Sequence, residues 1–173
     1  MRTAFALLTF GAVCACKPPP TDADMRRDGP DAETSSASAP LPSPESEGAV
    51  WTFSGLDPDR IIYGGPGSPA QLARTCLPDQ TPTRVQITRM SHADEGAGAL
   101  LAFVGNGHIG RIEVDATPVE GETIWQGDLP AADNRLEPLA GPRQFTATIP
   151  GAGMVTVNPS ATPMEWLQSC RDS

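Results

Sequence analysis

Few side chains in this chain do chemistry near neutral pH. Histidine occurs twice, as His92 and His108. Ser91-His92-Ala93-Asp94 contains the hydroxyl, imidazole and carboxylate of a hydrolytic triad. A triad is a spatial constellation, however, and residues on one turn seldom aim at one another. No G-x-S-x-G elbow accompanies it. A metal site would draw on His92, Asp94, Glu95 and His108, yet their spacing matches neither H-E-x-x-H nor a Cys/His finger. Gly105-Asn106-Gly107-His108-Ile109-Gly110 matches the dinucleotide pattern letter for letter. That motif works only where its glycines open a helix. Here Arg111-Ile112-Glu113-Val114 continues as an alternating strand, so the segment reads as a hairpin turn. Gly64-Gly65-Pro66-Gly67 lacks the Lys-Ser/Thr of a phosphate loop, and Asp57-Pro58-Asp59 lacks the remainder of a calcium loop. The expectation is therefore no catalytic residue, no cofactor and no metal. Trp125, in Thr123-Ile124-Trp125-Gln126, is a candidate contact residue, because one of Ile124 and Trp125 faces outward on a strand.

The four cysteines carry more information. Met1-Arg2 gives a positive start, and the 11 residues Thr3 to Val13 form an uncharged, largely apolar run. A membrane-crossing helix needs roughly 20, so this run fits a secretory signal that is later removed. It ends in Val13-Cys14-Ala15-Cys16, with a small residue before the cysteine. Residues 1–16 resemble the signal of bacterial lipoproteins. The resemblance implies removal of residues 1–15, acylation of Cys16 and attachment to the cell envelope. Lys17-Pro18 follow the cysteine where inner-membrane members carry Asp, which implies the outer membrane. A soluble exported protein cut after Ala15 is the alternative. Two or more acyl chains hold a protein stably where one does so only marginally. With Cys14 removed and Cys16 acylated, Cys76 and Cys170 remain as an even pair in an oxidising compartment. A Cys76–Cys170 disulfide is expected.

Residues 16–49 read as a lipidated, disordered tether rich in Pro, Ser, Ala and acids. Met25 and Leu41 are its only sizeable apolar side chains, too few to offset the entropy of ordering. A coil of about 30 residues spans about 30 Å root-mean-square. Charge narrows the partners further. The chain carries 21 acidic against 12 basic residues, net −9, and Lys17 is its only lysine. Nucleic acid requires clustered Lys and Arg, so it is excluded as a partner.

Residues 50–173 must position whatever site exists. Candidate strands are 50–53, 60–63, 83–90, 99–104, 108–115, 122–126, 144–149 and 154–158, separated by Gly, Pro and Asn turns. This pattern predicts a mainly β fold, a small antiparallel sandwich or barrel. The Asn106-Gly107 turn pairs Leu101 with Ile112 and Ala99 with Val114, with Phe103 on the same core-facing side. Ser68-Pro69-Ala70-Gln71 has capping-box form and predicts a short helix over 69–75. Thr162-Pro163-Met164-Glu165 predicts a second helix, to about Arg171, with Cys170 on its apolar stripe. The domain, with 8 Arg against 14 Asp plus Glu, is expected to be a non-enzymatic accessory or binding module of the envelope. It would be membrane-bound through its anchor and able to meet an envelope protein partner. Alternatives are a small hydrolase using His92 or His108, or a carrier of a small apolar ligand.

Overall fold

The computed structural model describes residues 39–173. The expected signal, Cys16 and most of the expected tether lie outside them. Among the described residues, nine strands form one antiparallel sheet curled into a nearly closed barrel. They are β1 (Val50–Phe53), β2 (Arg60–Gly64), β3 (Leu72–Leu77), β4 (Arg84–His92), β5 (Gly98–Gly105), β6 (His108–Val119), β7 (Glu122–Pro130), β8 (Phe145–Thr148) and β9 (Met154–Val157). Their order is β1-β2-β3-β4-β7-β6-β5-β8-β9. A 3-10 helix, Asn134–Leu139, and one α-helix, α1 (Thr162–Arg171), complete the fold.

The expected hairpin forms in its expected register. Leu101 pairs with Ile112 and Ala99 with Val114, and Leu101, Phe103, Ile112 and Val114 are buried. Asn106 adopts φ 51° and Gly107 φ 84°, the left-handed backbone that a tight hairpin turn demands. Asn106 also fastens one end of the barrel. Its Nδ2 donates to the carbonyls of Pro138 and Gly141, and its Oδ1 accepts from the Arg143 N–H. Gly110 is where the 3-10 helix rests on β6, because a Cβ there would collide with the Arg135 carbonyl.

The helix expected over residues 69–75 does not form. Leu72–Leu77 is instead β3, paired with both β2 and β4. The capping box does not form: Ser68 N–H donates to Gly65 O, Gln71 N–H to Tyr63 O, and Gln71 Nε2 to the Glu45 carbonyl at 2.6 Å. Pairing on both edges of β3 outweighs a helix propensity of a few tenths of a kcal/mol per residue. The tether was likewise expected to run too far. Leu41 N–H donates to Gly151 O, Met154 N–H donates to Ser43 Oγ, and Asn158 Nδ2 donates to the carbonyls of Ser46 and Ala49. Residues 41–49 form an ordered strap on the barrel.

α1 closes the end at which β3 finishes. Cys76 and Cys170 form the expected disulfide. Trp166 Nε1 donates to Asp59 O, and Arg171 reaches Ala131 O and Glu137. The bridge spans 94 residues of sequence. A loop of that length removes about 4.5 kcal/mol of unfolded-state entropy in the chain-entropy model. Replacing both cysteines with alanine should lower unfolding free energy by about 2–4 kcal/mol in urea titration.

Every neighbouring pair of strands is antiparallel. With nine strands, β1 and β9 therefore run in the same direction, and no antiparallel ladder can join them. Side chains bridge the gap. Tyr63 on β2 is fully buried. Its hydroxyl donates to Thr156 O and accepts from the Asn158 N–H, both at 3.0 Å. Tyr63→Phe removes both bonds and takes the hydroxyl partner from two partly buried backbone groups, the Thr156 carbonyl and the Asn158 N–H. The expected loss is about 2–4 kcal/mol, with faster hydrogen exchange at the Asn158 amide.

Candidate functional site

The two histidines are not brought together. His92 ends β4, whereas His108 opens β6 beside the Asn106-Gly107 turn, and the strand pairings place these at opposite ends of the barrel. His92 is largely exposed, with Nε2 3.7 Å from Asp94, and His108 is exposed. Among the described residues no group of three His, Cys, Asp or Glu side chains is placed to hold a metal. Trp125 is not a surface contact. It is 8 % exposed and points inward, directly across from Arg89 in the β4–β7 pairing. Its neighbour Ile124 is buried too, so the strand has apolar cover on both faces.

The structure instead singles out two arginines. Val85, Ile87 and Arg89 share the inner face of β4; Leu72, Arg74 and Cys76 share that of β3. Arg74 is 1 % exposed and Arg89 3 % exposed. Leu72 pairs with Arg89 and Arg74 with Ile87, so the two cations are diagonal neighbours on one wall. Neither takes part in any of the four salt bridges among the described residues.

Arg74 lies between aromatic faces, 4.6 Å from the centre of the Trp51 ring and 5.4 Å from that of Phe145. The ring quadrupoles offset part of the cost of desolvating the charge. Both terminal nitrogens, Nη1 and Nη2, lack a hydrogen-bond acceptor. Burial pushes the guanidinium down to about 9, so it remains charged at neutral pH.

Arg89 sits where the barrel opens. Its Nη1 donates to Gln71 O at 3.2 Å and its Nη2 to Ala152 O at 3.0 Å. Nε has no acceptor. Burial lowers this guanidinium to about 10. The β4–β7 register breaks between Arg89 and His92. A bulge of this kind re-aims side chains, and here Met90 and Ser91 turn toward a cleft of about 400 Å³. Gln71, Arg89 and Ser91 line it on the barrel side, and Leu41, Pro42, Pro44 and Glu45 of the strap line the other. Gln71 Oε1 and Ser91 Oγ, like Arg89 Nε, are buried without partners. Three unpaired polar atoms around one cleft are an unusual concentration, since nearly all buried polar groups find a partner.

Sequence reasoning missed this site. The available signal was an arginine at the third inward position after Val85 and Ile87, a charge on an apolar face.

No protein-family model, curated protein or solved structure matches the chain.

Replacing Arg74 tests whether the buried charge is a burden. Apolar residues of similar volume in place of buried charges are often neutral or stabilising by about 1–4 kcal/mol. Arg74→Met should match or exceed the parent by about that amount at pH 7 in urea titration. The folded protein holds the Arg74 proton less tightly than the unfolded chain. The cost of the charge is therefore fully present at neutral pH and fades as pH rises through about 9. The advantage of Arg74→Met should shrink between pH 7 and pH 10.5.

Proposed function

We propose that this chain is an exported lipoprotein whose barrel is a non-catalytic binding module, attached to the bilayer through Cys16 and holding a small ligand at the mouth over Arg89. The mouth carries the reading. It joins a concave space of about 400 Å³ to buried polar atoms that no protein group satisfies. Binding sites have this composition: mostly apolar walls with a few polar groups that fix orientation. The rest of the interior is filled by the buried core, Phe103 and Phe145 among it, which favours a ligand at the rim over one enclosed within the barrel.

The anchor rests on the positive start, the apolar run and the cysteine after Ala15. A domain with 8 Arg against 14 acidic residues would be repelled by anionic lipid head groups. Acyl chains on Cys16 would hold it at the envelope nonetheless, at about 0.8 kcal/mol per buried methylene.

Expression of the full chain in a Gram-negative host, followed by fractionation and mass spectrometry, tests the anchor. The parent should sediment with membranes, its N-terminal peptide carrying the mass of acyl chains on Cys16. Cys16→Ala should abolish the added mass and move the protein to the soluble fraction. An unmodified, soluble parent would overturn the lipoprotein reading.

A further inference from the structure

The geometry of the mouth points to its ligand class: we infer that it takes a small apolar monocarboxylate, the acid group on Arg89 and the hydrocarbon body along Leu41, Pro42, Pro44 and Met90. This rests on the binding-module reading above and adds the chemistry of the ligand.

The argument starts from the charge. Arg89 is 3 % exposed, and its hydrogen-bond acceptors are two backbone carbonyls, both neutral. A desolvated cation with an unused N–H is satisfied best by an anionic oxygen, because charge-assisted hydrogen bonds are about twice as strong as neutral ones. Water would accept the Nε–H and leave the charge uncompensated. The carbonyls of Gln71 and Ala152 hold the guanidinium in place at the cleft. Ser91, whose Oγ is also buried without a partner, lines the same cleft.

The number of cations sets the ligand charge. Arg89 is the one basic residue lining the cleft and balances the single charge of a carboxylate. A phosphate dianion presents three oxygens and a second charge, for which this mouth offers no further cation. Much of the remaining lining is apolar, Leu41, Pro42, Pro44, Pro69, Met90 and Ala152, while Ser68 and Gln71 add polar groups and the unpaired Gln71 Oε1 favours the protonated over the ionised acid beside it. At about 400 Å³ the space lies near the lower end of small-molecule sites, which limits the body to a short chain or a single ring. Glu45 on the rim is a like charge and weakens the attraction for any acid.

The test titrates hexanoate, hexanol and hexylamine into the full chain and follows the arginine Nε–H resonances by NMR, with Arg89→Lys assigning the Arg89 signal. Hexanoate should shift that signal and saturate, hexanol should bind about tenfold more weakly, and hexylamine should leave it unmoved. Arg89→Lys keeps the charge and removes the Nε–H. Followed by the Ser91 amide, it should weaken hexanoate about tenfold. Two exposed strap positions give variants that do not touch the core. Glu45→Gln should strengthen hexanoate about two- to threefold by removing the like charge, and Leu41→Trp should abolish binding by filling the cleft. Equal binding of hexanol and hexanoate, or tighter binding of hexylamine, would overturn the acid class and leave the mouth as a ligand site. Failure of all three probes to saturate would overturn both.

Discussion

Two hydroxyl-mediated hydrogen bonds hold a seam that no antiparallel ladder can close. An antiparallel sheet with an odd number of strands meets itself with its first and last strands pointing the same way. In this protein β1 and β9 face that mismatch, and the Tyr63 hydroxyl spans it, giving its proton to Thr156 O and taking one from Asn158 N–H. Asn158 then turns its amide to the carbonyls of Ser46 and Ala49. The strap is thus pinned by the residue that the tyrosine pins. Closure and ordering of residues 41–49 are one event, and the cleft over Arg89 exists only because that strap forms its second wall.

Closure also shapes the electrostatics. The chain is acidic, net −9, and among the described residues no Asp or Glu is buried. Inside stand Arg74 and Arg89, without an acidic counterpart. A buried cation raises the attraction for anions that enter, because the low dielectric around it screens little. A negative exterior would hold most anions at a distance, but that repulsion is screened over about 10 Å at ordinary ionic strength. The field of the interior and the field of the surface therefore oppose each other, and the mouth is where one gives way to the other.

Much of the fold was legible because its signals are local. Asn106-Gly107 fixed a hairpin register that the structure reproduces residue for residue. Thr162-Pro163-Met164-Glu165 marked the start of the helix that carries the disulfide, and cysteine counting identified its partner. The failures share a cause in long-range pairing. Leu72–Leu77 carries a helix-start signal in its approach yet is held by strands on both sides. The Pro-rich residues 41–49 lack apolar content, but they are ordered by bonds to residues more than 100 positions away. The candidate site shares that difficulty. Arg89 reads as a surface charge until the β4 inner face is known; its partner Gln71 is brought by the β3–β4 pairing, and Ala152 comes from the other end of the sheet, beside β9. Trp125 was noticed for its size and lies behind the arginine, buried.

The strap has one more consequence. Free sheet margins invite a second molecule to add its own strand, the first step toward fibrous aggregation. The opening beside β9 is such a margin, and the strap occupies it: Leu41 N–H donates to Gly151 O, and Ser43 Oγ accepts from the Met154 N–H. Its alternate residues Pro40, Pro42 and Pro44 have no amide hydrogen, so they offer an incoming chain nothing to accept. A segment that looked like mere spacing in the sequence covers that margin in the fold.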